Sequence, residues 1–107
     1  MSRPALSVAV ITKNEAPRIE RCLRSVDFAD EIVVVDSGSD DGTPDIARRL
    51  GATVIATPDW PGFGPQKNRA LDACHGDWVL SIDADEQVDG ALREAILAVV
   101  RRAERGA

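Results

Sequence analysis

The chain has 107 residues and a formal net charge of −5, from 13 lysines and arginines against 18 aspartates and glutamates. This length suits one domain with a small core, and the acidic balance argues against nucleic-acid binding, which needs a basic surface. No apolar run approaches the roughly 18 residues of a membrane-spanning helix, and the N-terminus lacks the apolar stretch of a signal peptide. With only two cysteines, we expect reduced thiols and a cytoplasmic protein.

Strand-like segments recur along the chain at regular intervals. Short apolar runs rich in β-branched residues, typical of strands buried on both faces, occupy residues 6–11, 31–36, 52–56 and 77–82. Residues 57–65 hold three prolines and two glycines around Trp60 and Phe63, which predicts an irregular surface loop. Its two aromatic side chains either cover the sheet edge, which we favour, or touch substrate.

Helical patterns lie between these strands. The predicted helices are a first that starts within residues 14–17, a second from the N-cap Thr43 to Gly51, a third over about residues 66–74, and a last with an apolar stripe over residues 92–100 that frays over 101–107. Four strands that alternate with four helices predict an α/β fold with a Rossmann-like, mostly parallel sheet in a single domain over residues 1–107.

Polar segments follow the first, second and fourth predicted strands, at residues 12–15, 36–42 and 83–86. Ligands of parallel sheets bind outside the carboxyl ends of the strands, where the strand order reverses. Loops that lead into helices are polar in any case, so one such loop means little. Three of them at one edge favour a ligand site.

Asp83 and Asp85 are the candidate metal ligands. On an extended chain, side chains two residues apart point the same way and lie about 6–7 Å apart. Mg²⁺ and Mn²⁺ prefer oxygen ligands, keep several waters and bind substrate phosphates. The pair therefore predicts a divalent ion that can neutralise a diphosphate leaving group.

Three motifs carry a family resemblance: LSVAVITKNE at residues 6–15, VVDSGSDDGT at 34–43 and LSIDADE at 80–86. In this order and spacing they resemble the N-terminal, nucleotide-sugar-binding half of a family 2 glycosyltransferase of the GT-A type. The segments KNEA, GFGPQKN and DADE look like those of the lipopolysaccharide-core glucosyltransferases, which hints at the acceptor class.

The resemblance implies transfer of a sugar, with inversion, from a UDP-sugar to a glycan or lipopolysaccharide-type acceptor. It implies nucleotide-sugar-binding roles for Thr12, Asn14, Glu15, Asp36, Ser37, Lys67 and Asp83, and binding of Mg²⁺ or Mn²⁺ by Asp85 and Asp83. Ser37 stands where the family often has an acid that reads uracil, which leaves the base selectivity open.

The general base and the acceptor-binding elements of the family lie C-terminal to the Asp83–Asp85 motif, so no residue here is assigned as the base. We expect a fragment of a longer enzyme, inactive alone, that lacks the acceptor part. The alternatives are a non-catalytic nucleotide-sugar-binding module, a phosphatase of the haloacid-dehalogenase type and a phosphoacceptor receiver domain. The last two place their key acids after the first strand, unlike this chain.

Two further features leave alternatives open. Glu86 is expected to be an N-terminal acid of the last helix, or else an outer partner of metal-bound waters. Arg101, Arg102 and Arg105 end an amphipathic helix, either as a solvated tail or in contact with anionic lipid at the inner face of a membrane.

Overall fold

The computed structural model describes residues 4–106, and the side chains of residues 4–103. Strands and helices alternate strictly along this part of the chain. The elements are β1 (Leu6–Thr12), α1 (Ala16–Ser25), β2 (Glu31–Asp36), α2 (Thr43–Arg49), β3 (Thr53–Ala56), α3 (Phe63–Ala73), β4 (Trp78–Asp83) and α4 (Gly90–Gly106).

The four strands form one sheet in the order β3-β2-β1-β4, and every pair in it is parallel. The chain runs outward from β1 through β2 to β3 and then returns to place β4 on the other side of β1. The strand order therefore reverses between β1 and β4. The predicted α/β fold with a four-stranded parallel sheet flanked by helices is confirmed.

Helices cover both faces of the sheet, which explains why β1 and β2 are almost wholly apolar. Val8 and Val10 point to the face covered by α1 and α2, and Ala9 points to the opposite face, where Ala70 of α3 packs. The helices cover β4 less completely, as the 43% exposure of Trp78 at its start shows.

The third and fourth helices depart from the predicted bounds. α3 begins at Phe63 instead of residue 66 and so includes Pro65. Proline is tolerated there because the first helical turn needs no N–H donor from it. α4 continues as a helix to Gly106, so the predicted fraying from Arg101 onward is wrong. Residue 107 lies outside the described residues, and the side chain of Arg105 lies outside the described side chains.

The start of α2 also differs from the prediction. Gly42, with a left-handed φ of 89°, occupies the N-cap position, and Thr43 is the first helical residue. The Thr43 hydroxyl does not cap its own helix, because it donates to the Asp41 carboxylate and accepts the backbone N–H of Glu15 at 2.9 Å. The predicted end of α2 is confirmed by the left-handed Gly51.

Candidate functional site

The carboxyl ends of β1, β2 and β4 meet at one edge of the sheet. Thr12 pairs with Asp36 on one side of β1, and Ile11 pairs with Asp83 on the other. The three polar loops that follow these strands therefore converge, as expected, and they do so where the strand order reverses. This edge is the place where a ligand of such a sheet binds.

An open cleft of about 740 Å³ lies at this edge. Its walls come from the ends of β1 and β4, the start of the loop after β2, and the segment that leads into α3. The lining residues are Ile11, Thr12, Lys13, Glu15, Ser37, Pro58, Asp59, Trp60, Phe63, Asp83, Ala84 and Asp85. Five predicted site residues are among them: Thr12, Glu15, Ser37, Asp83 and Asp85. Asn14, Asp36 and Lys67 lie beside the cleft without lining it.

Asp36 lies beneath the cleft floor and is 1% exposed. One carboxylate oxygen, Oδ1, accepts hydroxyl hydrogen bonds from Thr12 and Ser39, both at 2.6 Å. The other, Oδ2, accepts the backbone N–H of Ser39 at 2.8 Å. These bonds tie the end of β1 to the loop after β2, so the carboxylate is occupied by the protein itself.

Asn14 joins the loop after β1 to the loop after β2. Its backbone N–H donates to Ser39 Oγ at 2.7 Å, and its Oδ1 accepts the N–H of Asp40 at 3.0 Å. Its φ of 54° is left-handed, a conformation that asparagine tolerates better than most residues. Asn14 therefore shapes the rim of the cleft.

The same two loops complete the start of α1, which has no side-chain cap of its own. Asp41 accepts the N–H of Ala16 at 3.0 Å from across the rim. The hydrogen bond from the Thr43 hydroxyl, aided by those from the backbone N–H groups of Ala16 and Thr43, holds the pKa of Asp41 below its ordinary value. Asp41 therefore stays ionised and serves the positive end of the α1 dipole.

The two candidate metal ligands are arranged differently from the prediction. Asp83 ends β4, and Asp85 lies in a tight turn in which the N–H of Glu86 donates to the Asp83 carbonyl at 2.9 Å. The extended geometry assumed for the pair is therefore wrong, although both side chains line the cleft.

Glu86 is not the N-terminal acid of α4, and its alternative role as an outer partner of metal-bound waters stays a prediction. Its Oε1 accepts the backbone N–H of Asp83 at 2.7 Å and so closes the turn. Asp89 supplies the carboxylate at the start of α4 instead, where it accepts the N–H of Leu92 at 2.8 Å. The prediction failed because α4 begins at Gly90, one turn beyond Glu86.

The cleft offers a divalent ion two carboxylates. Within residues 4–103, no group of three or more histidine, cysteine or acidic side chains is placed to hold a metal. Lys67 Nζ lies 3.8 Å from Asp83 Oδ1 and partly balances its charge. Two exposed carboxylates suit Mg²⁺ or Mn²⁺, which keeps waters and completes its coordination with substrate phosphates.

Several residues of the cleft carried no functional prediction. Lys13 lines it, with its Nζ donating to the Gly38 carbonyl at 2.8 Å. Gln66 is fully buried beside it, and its Nε2 donates to Ser37 Oγ at 2.7 Å. No sequence signal pointed to this contact, because Gln66 stood at the predicted start of a helix, between Pro65 and Lys67.

Of the two readings for Trp60 and Phe63, coverage of the sheet edge is wrong, and contact with substrate stays a prediction. They do not cover the sheet edge but line the cleft, with 48% and 69% of their surfaces exposed. Their rings pack edge to face, with centroids 4.9 Å apart. The difference arises because α3 starts at Phe63 and carries that ring toward the carboxyl ends of the strands.

The chain belongs to glycosyl transferase family 2, whose family model matches residues 7–107. A protein of Rickettsia bellii named as an uncharacterized glycosyltransferase is 50% identical over 92 residues, which cover 85% of this chain and 31% of that protein. The lipopolysaccharide core biosynthesis glycosyltransferase LpsC of Rhizobium meliloti is 39% identical over 95 residues, covering 85% of this chain and 35% of LpsC. The chain thus spans about a third of the length of these relatives.

Solved structures with the same fold are GT-A glycosyltransferases. The mannosyltransferase of Pyrobaculum calidifontis, in complex with GDP-Man and Mn²⁺, has a TM-score of 0.76 and 34% identity, covering 94% of this chain and 32% of that one. Glucosyl-3-phosphoglycerate synthase from Mycobacterium tuberculosis, in complex with Mn²⁺, UDP and glucosyl-3-phosphoglycerate, has a TM-score of 0.67 and 32% identity, covering 78% of this chain and 36% of that one. The GT-A, Rossmann-like fold expected from the resemblance is confirmed.

No helix within the described residues is long and apolar enough to span a bilayer.

Proposed function

We propose that this chain is the donor-binding part of an inverting glycosyltransferase that transfers a sugar from a UDP-sugar to a glycan or lipopolysaccharide-type acceptor. The observation that carries the proposal is the cleft at the strand-order reversal, where Asp83 and Asp85 face Thr12 and Ser37. Family membership supports nucleotide-sugar chemistry. The solved relatives bound to UDP or GDP-Man support a nucleoside diphosphate as the carrier.

Different residues of the cleft would bind different parts of the nucleotide sugar. Thr12, Glu15 and Ser37 line the part formed by β1 and β2, and we assign them to the nucleoside. Lys67, beside Asp83, is placed to approach the diphosphate as a point charge. Asn14 and Asp36 would act indirectly, since their polar atoms are engaged in holding the rim.

Asp85 and Asp83 are the proposed ligands of Mg²⁺ or Mn²⁺. Asp85 is exposed and makes no hydrogen bond among the described residues, whereas the Asp83 carboxylate lies close to Lys67, so Asp85 is the freer ligand. The ion would offset negative charge that develops on the departing diphosphate. The two relatives crystallised with Mn²⁺ support a divalent cofactor.

No residue of this chain is proposed as the general base. Such a base must lie within hydrogen-bond reach of the acceptor hydroxyl, and in the family it follows the metal motif. The relatives are about three times as long as the matched region, which supports a longer enzyme whose remaining part binds the acceptor. A non-catalytic nucleotide-sugar-binding module is the alternative, and transfer by the whole protein would exclude it.

The acceptor class and the location are the least supported parts of the proposal. Similarity to LpsC, a lipopolysaccharide core biosynthesis glycosyltransferase, supports a lipopolysaccharide-type acceptor. A cytoplasmic location, with or without contact between the arginines of α4 and the inner face of a membrane, stays a prediction.

Calorimetric titration of the chain with UDP, GDP and their sugars, with and without Mn²⁺, tests the proposal. We expect UDP to bind in a metal-dependent manner and Asp85→Ala to abolish the metal dependence, because one of two carboxylate ligands is lost. The substitution breaks no hydrogen bond among the described residues, so the fold should persist. The matched control is Asp72→Ala, which removes an exposed carboxylate on α3 away from the cleft. Equal metal-dependent binding by the Asp85→Ala variant and the wild-type chain would refute the metal site.

A further inference from the structure

The aromatic pair formed by Trp60 and Phe63 is an exposed apolar surface in the same cleft as the carboxylates of Asp83 and Asp85. The two side chains are 48% and 69% exposed, and contiguous exposed apolar surface in a groove marks binding sites in soluble proteins. The edge-to-face contact, with an interplanar angle of 89°, occupies the edge of one ring and a single face of the other. Ring faces of both residues therefore remain free of the partner ring.

The segment that carries Trp60 is held firmly. Thr57 donates its backbone N–H to the Asp36 carbonyl at 2.7 Å, which anchors the segment to the end of β2. One residue before Trp60, Asp59 forms a two-pronged ion pair with Arg69 at 2.9 and 3.1 Å. Arg69 also donates to Gln66 Oε1 at 2.9 Å. The ring thus sits on a preorganised support, which lowers the entropic cost of binding a ligand.

The polar groups at the nucleoside end of the cleft are already engaged. Asp36 is buried and accepts three hydrogen bonds from Thr12 and Ser39. Ser37 is 6% exposed and accepts the Gln66 amide at 2.7 Å. The Asp36 carboxylate is therefore not free to read the edge of a planar base, whereas flat aromatic surface is available in the same cleft.

We propose that the Trp60–Phe63 pair is a stacking surface for the nucleobase of the donor, a reading that rests on the proposed function. Stacking of a base on an aromatic ring contributes about 1–3 kcal/mol per base and tolerates different bases, because every base has a π face. The pair therefore supplies affinity for both pyrimidine and purine nucleoside diphosphates. The pair itself contributes little selectivity between them.

Calorimetry of the 107-residue chain with UDP, GDP and inorganic pyrophosphate, each at saturating Mn²⁺, tests this assignment. Trp60→Ala should weaken UDP and GDP binding by about tenfold, within the roughly 5- to 150-fold range of the stacking energy, and leave pyrophosphate binding within about twofold. UDP lacks the sugar, so an effect on UDP assigns the pair to the base instead of the transferred sugar. Trp78→Ala is the matched control, because Trp78 is equally exposed but lies at the opposite end of β4.

A second measurement needs no truncation of Trp60. In a Trp78→Phe variant, Trp60 is the only tryptophan, and UDP should quench or shift its emission while pyrophosphate leaves it unchanged. Three results would each overturn the stacking role while the proposed function stands. They are unchanged Trp60 emission when UDP is bound, equal UDP affinity of the Trp60→Ala variant and the wild type, and an equal loss of affinity for UDP and pyrophosphate in that variant. Failure of the wild-type chain to bind any of the three ligands would overturn the proposed function, and the stacking role with it.

Discussion

Asp36 shows how a buried carboxylate can join two loops at the edge of a candidate site. A carboxylate buried without partners would be strongly destabilising, and here three donors from Thr12 and Ser39 satisfy it. The same bonds fix the spacing between the ends of β1 and β2. We therefore assign Asp36 to positioning of the rim.

Burial should protect the thiol of Cys22 from alkylation, which a modification experiment can test. Burial, reinforced by the negative charges of Glu86 and Asp85, raises the pKa of its thiol from 9.0 to about 11. Because the thiolate is the reactive form, we expect iodoacetamide near pH 9 to modify Cys22 only as fast as the chain unfolds. Cys74, which is half-buried, should react first, as mass spectrometry of timed samples would reveal.

The same shift fixes the direction of a stability change with pH. The folded chain holds the Cys22 proton more tightly than the unfolded chain, so the buried thiol contributes to the free energy of unfolding. This contribution is complete below pH 9.0 and is lost as the pH rises through about 11. A Cys22→Ala variant should lack that part of the alkaline decline in the free energy of unfolding. Modification of native Cys22 at the rate of a free thiol would contradict the assignment.

At the scale of elements, the approach to β4 depends on Gly76. A Cβ at this position would lie 2.6 Å from Ser7 Oγ, 2.7 Å from the Ser7 backbone N and 2.9 Å from the Trp78 carbonyl. Two of these three atoms belong to the backbone of β1 and β4, which cannot move aside without disturbing the sheet. We expect Gly76→Ala to lower the free energy of unfolding by about 1–3 kcal/mol or more, measured by urea denaturation.

Gly64 provides the matched control for this substitution. It lies in α3, and a Cβ there would have no heavy atom within 4 Å. Alanine is favoured over glycine in helices by about 0.8–1 kcal/mol, so Gly64→Ala should be neutral or stabilising. If both alanine variants unfolded at the same urea concentration, the close packing at Gly76 would not matter.

Helix boundaries were the weakest part of the sequence prediction, and particular residues explain why. Pro65 suggested a loop but is compatible with the first turn of α3. Thr43 has the chemistry of an N-cap, yet its hydroxyl serves Asp41 and Glu15 from the neighbouring loop. In both cases local preference allowed two arrangements, and for Thr43 the contact with Glu15 shows what selected one.

At the scale of the whole molecule, packing is uneven across the sheet. Val33, Val34 and Val35 of β2 are at most 1% exposed, whereas Val79 in β4 is 39% exposed. Val100 anchors the far part of α4, but Leu92 and Val99 on the same helix are nearly half exposed. The part of the molecule around β2 is therefore more completely buried than β4 and α4.

This asymmetry predicts an order of local stability. Amide protection follows burial and contact density, so hydrogen exchange should be slowest in β1 and β2 and faster in β4 and α4, which packs only lightly against the rest of the described chain. Native-state exchange followed by mass spectrometry of peptic fragments would measure this. Protection of α4 equal to that of β1 would contradict the prediction.

The sequence by itself determined the alternation of strands and helices, the α/β class and the convergence of three polar loops, because these follow from hydrophobic periodicity and from the geometry of parallel strands. It also carried the family resemblance through motifs at residues 6–15, 34–43 and 80–86. Only the tertiary structure decided which polar side chains face the cleft and which face one another. It buried Asp36, turned Glu86 back onto Asp83 and brought Trp60 into the cleft. The Glu86–Asp83 hydrogen bond spans only three residues. The bonds from Thr12 to Asp36 and from Gln66 to Ser37, however, join residues 24 and 29 positions apart, and no local pattern encodes such contacts.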